Sequence, residues 1–227
     1  MKSSFHFSLT AMALLAACGG ATPEPATPPP AASAAPSASA GVPEPPPGAS
    51  VVRFDDLGVS FAVPPGYHVV GDDELAARIR SSASPRLTAS LQNRAPQKKG
   101  LPLLTLSKEA KPGDSLTVTL TATIVPADAT AAELLNQQQA VMHENLESFT
   151  ITDPPRELVQ DNVHGLELGD RYGLRAGSEV RKVASKMRLY VRKGLAFAIV
   201  VVWSDGESHN DEARALLDGL HFYDAQP

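Results

Sequence analysis

Cysteine is almost missing from this chain, with one in 227 residues, and that excludes an internal disulfide framework. Aromatic residues are scarce at 5% while prolines number 20, so part of the length contributes nothing to a core. Positive charge is not in excess either. Lys and Arg number 20 against 25 Asp and Glu, a formal net charge of -5, which removes the electrostatic footprint of a protein that binds nucleic acid by neutralising phosphates. No GxGxxG, GxxxxGK, HExxH or GxSxG run occurs, so phosphate-cradling loops, zincin sites and nucleophile elbows have no local signature. What is present is 43% hydrophobic, enough for one sizeable core.

The N-terminus carries Lys2, an apolar stretch from about Leu9 to Ala17, small residues and then Cys18. The stretch falls short of the roughly 20 residues that span a membrane, so residues 1–17 read as an export signal. Leu15, Ala16, Ala17 and Cys18 resemble the lipobox of bacterial lipoproteins. That resemblance implies that the Cys18 thiol receives a diacylglyceryl group, that the signal is cut before it, and that the new amine is acylated. Gly19, in place of Asp after the cysteine, implies outer-membrane sorting in a cell with two membranes. Two or three acyl chains, at about 0.8 kcal/mol per buried methylene, hold a protein on a membrane stably. Cys18 is then an anchor and not a nucleophile; the alternative is a plain secretory signal with a fortuitous cysteine. The expected partners are membrane lipid through acylated Cys18 and an envelope protein, with no nucleic acid and no cofactor.

Residues 18–50 form the lipidated cysteine and a tether. From Gly19 to Ser50 there is no aromatic residue and no aliphatic one larger than Val42, and proline repeatedly blocks helix and ladder. Pro28 to Pro30 and Pro45 to Pro47 favour polyproline II, and about 30 residues reach at most about 90 Å.

Residues 51–225 form the expected globular unit. Val59, Phe61 and Val63 alternate with smaller residues before Pro64, Pro65 and Gly66, a strand leading into a turn. Asp72 caps an expected helix carrying Leu75 and Ile79. A short strand is expected at Leu103 to Leu106. In SLTVTLTATIV, Leu116, Val118, Leu120, Ala122 and Ile124 point to the core, and Thr117, Thr119, Thr121 and Thr123 point to water. Thr130 and Glu133 spell a capping box for a helix with Leu134, Leu135, Val141, Met142 and Leu146 inward. Pro154 and Pro155 interrupt before two weaker strands. Met187, Leu189 and Val191 face the core opposite Lys186, Arg188, Tyr190 and Arg192, and a turn around Arg192, Lys193 and Gly194 leads into an almost wholly apolar strand from Leu195 to Trp203, which is expected to be central or covered on both faces. A final helix from Asn210 to Asp218 buries Ala213, Leu216 and Leu217, stops at Gly219 and precedes a short strand from Leu220 to Tyr223. Antiparallel strands interspersed with helices make an α+β fold, an antiparallel β-sheet packed with helices.

The opening FDDLGVSFAVPPGYHVV, the mid-domain amphipathic helix and the closing LLDGLHF resemble the PsbP, Mog1 and DcrB-like proteins. Pro65, Gly66 and Tyr67 match that family's Pro-Gly-aromatic turn, and Leu216 to Phe222 its terminal helix-to-strand step. The resemblance implies an α/β/α sandwich and a non-enzymatic accessory or binding role.

Five histidines follow the signal: His68, His143, His164, His209 and His221 are scattered without metal-site spacing, although the fold can still bring them together. Asp205, Gly206 and Glu207 read as a turn or a cation-binding loop, and Trp203 as core or ligand platform. The basic run Arg181, Lys182, Lys186, Arg188, Arg192 and Lys193 stands out in an acidic chain. Lys186, Arg188, Tyr190 and Arg192 share one strand face, a candidate interaction face for anionic lipid headgroups, polysaccharide or an acidic partner; the alternative is a solvated face paired with carboxylates. The expected function is that of a lipid-anchored envelope accessory or binding protein without catalysis. The alternatives are an envelope hydrolase with a cryptic site and a small-ligand binder with a pocket between helix and sheet.

Overall fold

Alternation of apolar and polar residues sets most of the strands, and two helices start where capping or a first-turn acidic pair favours them. In the computed structural model, which describes residues 47–71, 102–111, 114–176, 179–206 and 208–224, the chain runs β1 (Ser50–Phe54), β2 (Val59–Val63), β3 (His68–Val69), β4 (Leu104–Lys111), β5 (Asp114–Ile124), α1 (Ala131–Asn145), β6 (Glu147–Gln160), β7 (Val163–Ala176), β8 (Glu179–Arg192), β9 (Leu195–Ser204), α2 (Asn210–Asp218) and β10 (Leu220–Phe222). The expected signal, Cys18, most of the tether and the helix opened by Asp72 lie outside the described residues.

The strands form two antiparallel sheets. One has three strands in the order β1-β2-β10, the other seven in the order β3-β4-β5-β9-β8-β7-β6. β9 is central, as its uninterrupted apolar run requires, and its residues from Ala196 to Trp203 are all buried. Lys193 and Gly194 take φ of 50° and 74°, the twist that a two-residue hairpin turn needs between β8 and β9.

The large sheet is covered on both faces. On the first, Phe61, Leu220 and Phe222 of the small sheet and Ala213, Leu216 and Leu217 of α2 pack on Val118, Ile199, Val201 and Trp203. On the second, Leu134, Leu135 and Met142 of α1 pack on Leu168, Tyr172, Met187 and Leu189. This is an α+β architecture, two helices against a multi-stranded antiparallel sheet. The Thr130 hydroxyl accepts from the Glu133 N–H while the Glu133 carboxylate accepts from the Thr130 N–H, the capping box that starts α1. α2 matches its expected bounds and its expected buried residues.

Four expectations are corrected. Thr117, Thr119 and Thr121 are buried, not wetted, and they meet Thr105 and Ser107 of β4 across the same face. Alternation tells which side a residue takes, while water access depends on what later packs there. Threonine, with one methyl and one small hydroxyl, tolerates the cover: Thr121 donates to the Ala198 carbonyl at 3.4 Å. Ile124, the last residue of β5, is 77% exposed, although Leu195 opposite it packs against the core. Pro154 and Pro155 do not interrupt the chain but lie inside β6, an edge strand whose register shifts around them. An edge strand tolerates missing N–H donors on its outer side. The fourth correction concerns the basic face of β8.

Candidate functional site

Lys186, Arg188, Tyr190 and Arg192 do share one face of β8, but that face looks into the molecule. Lys186 and Arg188 are each 6% exposed and Tyr190 is fully buried. A buried cation persists only when paired, and each head group here has partners. Lys186 Nζ lies 2.8 Å from Asp153 Oδ2. Arg188 bridges two elements, with Nε 2.6 Å from Glu167 Oε2 and Nη2 2.6 Å from Asp218 Oδ1 at the end of α2. Gln160 Oε1 accepts from the Tyr190 hydroxyl at 2.6 Å and from Arg188 Nη1 at 3.2 Å, while its amide donates to the Leu220 carbonyl of β10. Arg192 donates to the Tyr223 carbonyl at 2.9 Å and the Gly58 carbonyl at 3.3 Å, and pairs with Asp224. The stripe therefore fastens the small sheet and α2 onto the large sheet. It is not an open face for an anionic surface, because the elements that would leave it wet fold over it.

The electrostatics follow from that cover. Burial pushes the Glu167 carboxyl up, and the hydrogen bonds and charges of Arg188 and Arg156 outweigh it, holding Glu167 below the ordinary range. For Arg188, burial acts downward and Glu167 and Asp218 reverse it. Burial drives the Tyr190 hydroxyl up to about 12 against the opposing effect of Arg188. A second knot joins Tyr67, Lys108, Glu212 and His209. The Tyr67 hydroxyl and Lys108 Nζ reach Glu212 Oε1 at 2.9 and 2.6 Å, and His209 Nδ1 lies 3.5 Å from Oε2. It pins the Pro-Gly-Tyr turn and β4 to the first turn of α2.

The histidines are not brought together. His164 lies at the start of β7, His143 stacks edge-on against Phe149, and His221 pairs with Asp161 at 3.2 Å. Among the described residues no group of three or more His, Cys, Asp or Glu is spaced to hold a metal ion. Asp205 engages Arg171 at 3.3 Å in the turn after β9, and Trp203 is buried core.

A groove of about 680 Å³ lies between the segment leading into α1 and the sheet. Leu166 and Val191 line it together with Thr130, Glu157, His164 and Lys193. Its volume is that of a small-molecule site. The sequence offered no signal for it, since its lining comes from four separate stretches of chain. Among the described residues no helix is long and apolar enough to cross a membrane.

No family model matches the sequence, and no curated protein matches it. Solved structures do. The cyanobacterial PsbP, CyanoP, of Synechocystis sp. PCC 6803 shares 15% identity over 77% of this chain and 92% of its own, with a TM-score of 0.44. LpqN of Mycobacterium tuberculosis, described as involved in cell envelope biogenesis, shares 16% over 78% and 86%, at 0.46. The Ran-binding protein Mog1p of Saccharomyces cerevisiae shares 9% over 78% and 96%, at 0.41. With its own strand register establishing the α+β architecture, the chain bears a distant structural resemblance to several folds of the PsbP and Mog1 kind.

Proposed function

We propose that this protein is a lipid-anchored accessory or binding domain of the cell envelope, without catalytic activity of its own. The observation that carries the reading is Leu15-Ala16-Ala17-Cys18 followed at once by a proline-rich tether that ends at β1. An acylated cysteine supplies the membrane affinity, the tether supplies reach, and the folded unit supplies the recognition surface. Labelled palmitate fed to a two-membrane bacterium expressing the full chain should enter the wild-type protein and not Cys18→Ser, which should leave the membrane fraction. An unlabelled wild type, or label retained by the variant, overturns the anchor.

The groove beside α1 favours a second reading, a small-ligand binder with its pocket between helix and sheet. In-cell cross-linking of the anchored chain separates the two. Recovery of one specific envelope protein supports the accessory role. No such recovery, together with a Tm raised by a small amphipathic ligand, supports the pocket.

A further inference from the structure

Asp170 lies in the middle of β7 on the face that α1 covers, among Leu168, Tyr172, Leu174 and Met187. It is 2% exposed. Its partner is the Ser185 hydroxyl, which stands directly opposite in the β7–β8 register and donates to Oδ1. Burial is the main influence on this carboxyl and raises it to about 6, against the weaker downward effect of Ser185. No cation adds to that bond among the described residues. From β7 there is Tyr172, hydrogen-bonded to the same Ser185 side chain, its own hydroxyl driven far above its ordinary value by burial and then by the Asp170 charge. Ile151 stands opposite on β6, and Val202 lies beyond Ser185 on β9. The buried face of α1 brings Leu134, Leu135, Gln138 and Met142, none of them ionisable, while His143 and Glu144 are exposed. Arg171 and Lys186, the nearest cations along the strands, turn to the opposite face and pair with Asp205 and Asp153.

The helix side of the same interface is also poorly satisfied. Gln138 is buried, its amide nitrogen meets only the sulfur atoms of Met142 and Met187 at 3.7 and 3.4 Å, and its carbonyl oxygen has no partner among the described residues. Asp170, Ser185, the Tyr172 hydroxyl and Gln138 thus place polar groups inside an otherwise apolar contact, and Asp170 changes charge.

We propose that Asp170 is a proton-operated latch for α1: the neutral carboxyl keeps the helix seated on β7 and β8, and ionisation lifts it and opens the groove at its N-terminal end. The latch is independent of the lipid anchor. Its sign follows from linkage. A carboxyl held higher in the closed state than in an open, solvated one favours closure fully below its ordinary range near 4, progressively less as pH rises to 6, and not at all above that. Between pH 5 and 7.5 the opening equilibrium of α1 should rise about tenfold.

Hydrogen exchange of the α1 amides in the full chain, expressed as protection factors across pH 5 to 7.5, tests this. Wild type should lose about tenfold protection, and Asp170→Asn should stay flat. Ser185→Ala removes the bond that favours the charged form and should move the midpoint above that of wild type, which a purely structural role for Asp170 would not do. Should Asp170→Asn fail to fold, the carboxyl carbon titration of Asp170 in the wild type still decides. A midpoint near 6 that coincides with the loss of protection supports the latch. A midpoint near 4, protection independent of pH, or the same pH dependence in Asp170→Asn overturns it.

Discussion

Gly165 sits beneath the ring of Tyr190, where a Cβ would come within 2.5 Å of the Tyr190 Cδ1 atom and 2.8 Å of the Leu189 carbonyl. Neither neighbour can withdraw, since Tyr190 is wholly buried and its hydroxyl is held by Gln160. Gly165→Ala should therefore cost roughly 2 kcal/mol as overpacking, read as a lower urea midpoint with an unchanged slope. The same residues show what the amino-acid string reveals and what it withholds. That Lys186, Arg188, Tyr190 and Arg192 share a face is written in their spacing. That this face closes over Glu167, Gln160 and Asp218 is not, because those partners lie 21 to 30 residues away and are brought in by the pairing of β6, β7 and β8 and by the packing of α2. Asp170 was silent for the same reason: an aspartate within a strand acquires its unusual chemistry only from what α1 covers.

Elements with a strong local signature kept their places. The period of α2, the unbroken apolar run of β9 and the Thr130–Glu133 box each depend on residues within a few positions. β6 did not, since a pair of prolines locally spells a break and only the sheet order makes Glu147–Gln160 an edge strand that accommodates them. The groove was illegible for a related reason, being an uncovered part of the sheet and not a motif. At this scale Thr130→Ala should cost about 1 kcal/mol, because it frees the Glu133 N–H and removes the hydroxyl that donates to the Glu133 carboxylate. Hydrogen exchange should localise the loss to the first turn of α1, leaving the β8–β9 amides protected.

Across the whole molecule, the small sheet holds the two ends of the described fold together, with β2 between β1 and β10. β10 brings Leu220 and Phe222 into the first core, where the Phe222 ring meets Tyr190 and Phe197 at centroid distances of 5.0 and 5.4 Å. A chain ending at Gly219 forfeits both side chains, roughly 5 kcal/mol or more, an amount comparable with the entire stability of many domains. It should lose the near-ultraviolet circular dichroism of Trp203 at room temperature while keeping part of its far-ultraviolet signal.

The pairing of β2 with β10 also governs timing. Phe61 waits for Leu220, so β2 finds its second neighbour only after the elements from β3 to α2 have been synthesised. Contacts of such sequence separation form late and slowly. A nascent chain of this protein stays open along that edge of β2 until β10 has emerged to pair with it.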